Sequence, residues 1–361
     1  MSISGKKLGV ILVSLMLVFS VIISGCSGGA DKQAKSDQKA KAPEYTVKFA
    51  LEEIEGSVQH AWAKEFKKRL EKKSNGKIKV KIYPYGSLGS SEDITELVQN
   101  GVIQFAFASP GHLASFIPEV GMFSLHYIWP NNMKVNKEVM ASSEAIYGML
   151  AKKYAENNLK LLEVNHEGWQ VWSANKPIRS PKDMQGLKIR VMGDPILIKN
   201  YKAYGANPVQ LAYSEIYSAL QLNMIDANIQ PMFAHQEMKF YEQQDYLISA
   251  KQVPFITTVV ANEGFFKSLP KEYQKMITET SHELVDYIFE VQKELNNKRV
   301  KKMKEAKPSL KVINLNEKER MKFKARAKTV WQSYKKDVGE DGAKILNKLL
   351  KEIKAAKKQY N

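Results

Sequence analysis

A single cysteine, Cys26, serves all 361 residues. No intrachain disulfide can form, and no thiol nucleophile remains for the folded body once that cysteine is committed elsewhere. Metal-ligand spacing is missing too. The six histidines, at 60, 112, 126, 166, 235 and 282, are scattered. His166-Glu167 and His282-Glu283 are isolated pairs that read as ordinary polar residues, since neither extends to H-E-x-x-H. The body carries no G-x-S-x-G elbow between a strand and a helix and no glycine-rich phosphate loop. These absences speak against an enzyme: no catalytic residue, cofactor or metal is expected. Acidic residues are few, 38 against 55 Lys and Arg, for a formal net charge of +17. The lysines spread along amphipathic helices and gather towards the C-terminal end, with no aromatic-basic stacking motif. Solvated helix faces explain them better than a nucleic-acid partner. No repeat of 20 to 50 residues is present.

Long apolar runs are also scarce. Leu8 to Ile23 is apolar but too short for a comfortable membrane span, and it follows the basic pair Lys6-Lys7. Ile23-Ser24-Gly25-Cys26 then resembles a bacterial lipobox, in which cleavage before the cysteine follows diacylglyceryl attachment to its sulfur. Residues 1–25 are therefore expected to be a lipoprotein signal peptide and Cys26 the lipidation site. Residues 26–43, small, polar and charged, read as a flexible tether. Losing Lys6 and Lys7 would take the charge from +17 to +15. The expected location is extracytoplasmic, anchored by lipid to the outer face of the bacterial cell membrane or in the periplasm.

What is present is an α/β pattern. Tyr45 to Leu51 alternates as a strand, and Val58, Trp62, Phe66 and Leu70 form one face of a helix capped by Ser57 and ended by Asn75-Gly76. Ile78 to Ile82 is a second strand, a short helix runs to Gly101, and Val102 to Ala108 is a third strand. That order predicts parallel pairing. Val135 to Asn157 reads as one helix and Leu159 to Asn165 as a strand. Trp169 and Trp172 are read as sharing one face of a strand, as core or as the wall of a cleft. Val253 to Ala261 is β-rich and returns the chain to the first domain. A helical pattern from Ser268 to about Ala306 would span roughly 50 Å if unbroken. It either crosses both domains or splits in two.

The stretch Gly186 to Pro231 concentrates the functional signal. Leu187, Ile189 and Val191 point one way and Lys188 and Arg190 the other, with Arg190 just before a Gly193-Asp194-Pro195 break. In open α/β sheets ligands bind beyond the carboxyl ends of strands, where an arginine can receive an anion. Ala227 to Gln230 is a second such strand, so Gln230 falls at a strand end in the same unit.

Several blocks of this stretch resemble the solute receptors of tripartite ATP-independent periplasmic (TRAP) transporters, the C4-dicarboxylate-binding type. They are Leu187-Lys188-Ile189-Arg190-Val191, Gly205-Ala206-Asn207-Pro208, Ser214 to Gln221, and Ile225-Asp226. Gly76-Lys77-Ile78, Leu88-Gly89, Pro118-Glu119 and Ser268-Leu269-Pro270 match in order outside it. The resemblance implies a two-lobed periplasmic-binding-protein-like α/β fold with an interdomain cleft and a long helix spanning both lobes. Lobe I would be residues 44–167 with 256–295, and lobe II residues 168–255 with 296–361. It implies a receptor that binds a small organic acid between the lobes and delivers it to TRAP integral membrane subunits. An ABC-type binding lipoprotein is the alternative.

On this resemblance Arg190 matches the family's carboxylate-binding arginine, and Tyr213 the aromatic that packs on the ligand. Gln230 stands where the family has asparagine. Gln170 stands where the sialic-acid branch has a second arginine, which weakens a sialic-acid reading. Glu52 occupies a ligand-contacting position on the first strand, and Ser109 and His112 follow the third. Trp172 joins this set as a candidate wall, with Trp62, Trp129 and Trp169 as further apolar candidates. A carboxylate at Glu52 would repel a second ligand carboxylate but hold an ammonium. The favoured ligand is therefore a monocarboxylate with an apolar or aromatic body, amino-acid-like or a keto acid.

Overall fold

The computed structural model describes residues 42–360; the expected signal peptide, Cys26 and the tether up to Lys41 lie outside the described residues. Alternation in Tyr45–Ala50 (β1) buries Val47 and Phe49, and the strand pairs in parallel with Ile78–Tyr83 (β2) and Phe105–Ala108 (β3). The helix Val58–Lys73 covers them. Ser57 caps it, its Oγ accepting from the His60 N–H at 3.1 Å. Trp62 and Phe66 stack at 5.0 Å and meet Phe49 edge-on at 5.9 and 6.0 Å. Each such buried side chain contributes about 1.5–3 kcal/mol. The third strand begins later than expected, because Val102 and Ile103 lie in the turn after Gly101 and Val102 is exposed.

The remaining strands are Leu159–Ala174 (β4), Lys188–Val191 (β5), Asn207–Gln210 (β6), Ala227–Pro231 (β7), Tyr246–Ser249 (β8), Pro254–Asn262 (β9) and Lys311–Asn314 (β10). The sheet order is β2-β1-β3-β9-β4-β7-β5-β6, with β8 on β4 and β10 on β8. β9 is the expected return to the first half, inserted antiparallel between β3 and β4. The first half is therefore mixed and not wholly parallel. β4 belongs to both halves: its start pairs with β9 and its end with β7 and β8.

The crossing falls at Glu167–Trp169, where the register shifts. Gly168 has φ +128, and a Cβ there would stand 2.6 Å from Asn296 Nδ2, which donates to the Glu167 carbonyl at 2.9 Å. Only glycine fits that backbone and that approach. Because Trp169 and Trp172 are three residues apart on a strand, they point to opposite faces, which corrects the shared-face reading.

Two expected helices are interrupted. Val135 to Asn157 divides into Met133–Ser142, a π-turn Ala145–Leu150 and Ala151–Glu156. Ser143 leaves helical geometry with ψ 122, and its Oγ accepts from the Ile146 N–H at 3.2 Å. The long pattern divides into Lys271–His282 and Val285–Ala306, with Arg69 Nη1 donating to the Glu283 carbonyl at the break, 3.3 Å away. From Val285–Ala306, Arg299 ties the halves together. It donates to Gln236 and Glu237 at 2.8 and 2.9 Å and to the Gly56 carbonyl at 3.3 Å. The last helix, Gly339–Tyr360, buries Ile345, Leu349 and Ile353 in the first half's core. That packing differs from the expected grouping of residues 296–361 with the second lobe.

Candidate ligand site between the half-sheets

Four strand ends converge on one small cavity. β1 ends at Ala50 and delivers Glu52 and Glu53; β3 ends at Ala108 and delivers Ser109 and His112; β5 carries Arg190 and, beyond it, Met192; β7 carries Gln230. Tyr213 closes it from the turn after β6, with Gln59, Ser91 and Phe255 completing the lining. Of the expected site residues, the structure thus brings together Arg190, Gln230, Tyr213, Glu52, Ser109 and His112. The space they enclose is about 30 Å³. That is room for no more than a few waters, so an organic acid enters only if the walls part.

Arg190 is buried, and burial lowers its pKa to about 10, which leaves it charged at neutral pH. Nε and Nη2 both donate to the Leu211 carbonyl, at 3.0 and 2.8 Å. A guanidinium has five N–H groups, so three remain, and the Nη1–Nη2 edge keeps two parallel donors.

Facing chemistry comes from the first half. The Glu52 carboxylate is buried, and burial raises its pKa to about 6. Its Oε1 accepts from the Ser109 N–H and Oγ at 3.1 and 3.2 Å, while Oε2 takes no bond among the described residues. His112 Nε2 lies 3.9 Å from Glu52, and its Nδ1 lies 3.0 Å from Glu92. The hydrogen bond to His112 is the main reason the Glu92 carboxyl falls to about 2. Met192 crosses to Ser109, sulfur to oxygen 4.0 Å. Gly111 permits that crossing, since a Cβ there would meet the Met192 side chain at 2.6 Å.

A pair of buried acids, Glu53 in the cavity wall and Glu167 behind it, adjoins the site. Burial, reinforced by the repulsion of the neighbouring Glu167, pushes Glu53 well up. Burial raises Glu167 to about 7. Thr257 and Gln59 both donate to Glu167 Oε1, Gln59 from 3.3 Å. The pair therefore holds a proton when ligand-free. A raised folded-state pKa means stability that is fully present below the unfolded pKa and lost as pH rises through the folded one. For Glu167 the window lies between its ordinary value and about 7. Glu167→Gln should flatten the fall in melting temperature between pH 5 and 8. The amide keeps an acceptor for Thr257 and Gln59 and gives Glu53 a permanent N–H. An unchanged slope in a calorimetric pH series would contradict this.

Two expected site residues lie elsewhere. Trp172 is fully buried in the second core, tilted against Phe323 with ring centroids 4.9 Å apart and Nε1 donating to Tyr201 Oη at 2.9 Å. Gln170 is buried on β4, its N–H bonded to the Val253 carbonyl at 3.0 Å, and does not line the cavity. Trp62 and Trp129 are core, and Trp169 lines a different groove, so Tyr213 alone of the expected aromatics reaches the site. Trp172→Phe should lower stability by about 1 kcal/mol through the lost hydrogen bond and leave ligand affinity within twofold, measured by denaturation and titration. Glu53, Gln59, Ser91, Met192 and Phe255 were not anticipated. Met192 had a signal, since it continues the Lys188-Arg190 face of β5; the others had none.

Residues 49–337 match the sequence family described as bacterial extracellular solute-binding protein, family 7. The chain belongs to that family. It is a TRAP-type extracytoplasmic solute receptor, and the ABC-type alternative falls away. It is 35% identical over 312 residues to the ectoine-binding periplasmic protein TeaA of Halomonas elongata, covering 86% of this chain and 91% of TeaA. It is 34% identical to the ectoine/5-hydroxyectoine-binding protein UehA of Ruegeria pomeroyi, with the same coverages. A high-resolution structure of the Halomonas elongata ectoine-binding protein superposes with a TM-score of 0.83, covering 86% of this chain and 99% of that one. By contrast, the C4-dicarboxylate-binding protein DctB of Bacillus subtilis is 26% identical, covering 88% of this chain and 89% of DctB. The family stands as expected, while these two relatives above 30% identity are named for ectoine and this dicarboxylate-binding relative is more distant.

Proposed function

We propose that this receptor binds a compact zwitterion of the ectoine type, a carboxylate at one end and a delocalised amidinium at the other. The observation that carries it is one buried guanidinium and one buried carboxyl on facing walls of a single cavity. The Nη1–Nη2 edge of Arg190 takes the ligand carboxylate, and Glu52 Oε2 takes the cationic N–H. Gln230, whose amide makes no hydrogen bond among the described residues, and Ser109 supply polar contacts; Tyr213 and Phe255 cover the ring. A second ligand carboxylate would meet Glu52 and Glu53, so compact dicarboxylates are disfavoured. The resemblance to ectoine-binding relatives supports the same reading.

Residues 44–167 with 256–295 and the last helix act as one lobe, and most of 168–255 with 296–337 as the other. Ligand bridges them and favours the closed form, which the TRAP membrane subunits recognise. That shift requires tighter binding to closed than to open. Cys26 carries the lipid anchor that keeps the receptor at the cell membrane. The test is a thermal-shift screen of ectoine, hydroxyectoine, amino acids, keto acids, succinate and sugar acids. A ligand at 100 times its Kd adds about 2.7 kcal/mol of stability. Stabilisation by sugar acids or succinate but by no zwitterion would sink the proposal.

A further inference from the structure

The geometry points to a second ligand site, separate from the Arg190 cavity, that takes an organic anion with an apolar ring body. A groove of about 850 Å³ runs past the crossing strand and shares no lining residue with the first site. Its size falls in the range of small-molecule sites, which favour interfaces between domains. Elements of both halves form it: the helix Met133–Ser142, β4 at His166 to Val171, the end of β8, and the helix Val285–Ala306.

Its apolar floor is aromatic. The His166 ring lies 6.0 Å from Trp169 and 5.5 Å from Phe289, and all three line the groove. Two polar features then select the charge of an occupant. Lys137 and Lys293 are neutralised in place by Asp286 at 2.6 Å and Glu290 at 4.0 Å. Lys134 and Lys251, which also line the groove, have no carboxylate partner among the described residues. The groove therefore carries two unbalanced positive charges.

The second feature is a buried donor. His166 Nδ1 accepts from the Gly168 N–H at 3.0 Å, so in the neutral ring Nε2 carries the hydrogen. Burial lowers the pKa of His166 to about 4, which keeps the ring neutral. Nε2 is buried and finds no acceptor among the described residues. Buried N–H groups are nearly always paired, and an orphan one calls for a partner. An anion over the aromatic floor provides the counter-charge, and a turn of the His166 ring would bring the buried Nε2–H to it as a donor.

The probe is 8-anilinonaphthalene-1-sulfonate, a fused-ring organic monoanion, titrated by fluorescence into the folded full chain at low salt. One saturable equivalent is expected. Lys134→Ala/Lys251→Ala, which changes two groove-lining lysines and leaves the core alone, should weaken it about fivefold or more with an unchanged melting temperature. Arg190→Ala should leave it within twofold, so failure of the second site is distinguishable from failure of the first. Absence of saturable binding, binding indifferent to the lysine pair, or loss of binding on Arg190→Ala would each overturn the proposal.

Discussion

Arg190→Ala should weaken carboxylate binding by between roughly 30-fold and a few thousand-fold, the equivalent of about 2–5 kcal/mol. The magnitude follows from where the guanidinium sits. It is 2% exposed, and its Nε and Nη2 are locked onto the Leu211 carbonyl, so its free edge is fixed before ligand arrives. Without it a ligand carboxylate would be buried against Glu52 and Glu53 with no positive partner. Arg190→Lys should recover little, because an ammonium on a flexible stem cannot hold Leu211 and offer two parallel donors together. Calorimetric titration measures the effect, and a melting curve separates lost binding from lost folding. Binding within threefold of the unsubstituted protein would remove Arg190 from the site.

Glu52→Gln should discriminate between ligand classes. A charge-assisted hydrogen bond is worth about 1.5–3 kcal/mol, so affinity for ectoine should fall roughly 10- to 150-fold. A plain monocarboxylate such as pyruvate should change by less than threefold, because it never used the Glu52 charge. A pH signature accompanies this. Burial raises Glu52 to about 6, so the ligand-free carboxyl is protonated below that pH and ionised above it. A cationic ligand needs the ionised form, so its affinity should rise with pH through about 6 and its binding should release a proton near that pH. Titrations in buffers of different ionisation enthalpy read the proton release, which Glu52→Gln should abolish. Equal losses for both ligand classes would show that Glu52 only shapes the wall.

Much of this was legible in the sequence because strands impose a period of two. The alternation of Leu187 to Val191 and the break at Gly193-Asp194-Pro195 placed Arg190 at a strand end, and the β5 geometry has it there. The helix face through Trp62 and the Ser57 cap were equally local and equally visible. Pairing direction was not local. β9 lies antiparallel between β3 and β4, a choice made by tertiary packing that no window of residues encodes. The large aromatics misled for a related reason. A tryptophan that suits a cleft wall suits a core equally, and Trp62, Trp129 and Trp172 went to cores. Glu167 reads in the sequence as an ordinary polar residue and Glu53 carries no signal, because an acid ordinarily reads as solvated surface. Only the fold sets one against the other and leaves them to share a proton.

The most direct test of zwitterion binding at Arg190 and Glu52 is a side-by-side calorimetric titration of the purified protein with ectoine and with succinate at pH 7.5. A single ectoine site is expected, bound at least tenfold more tightly than succinate and lost on Arg190→Ala. Succinate bound more tightly than ectoine, or ectoine binding that survives Arg190→Ala unchanged, would contradict it.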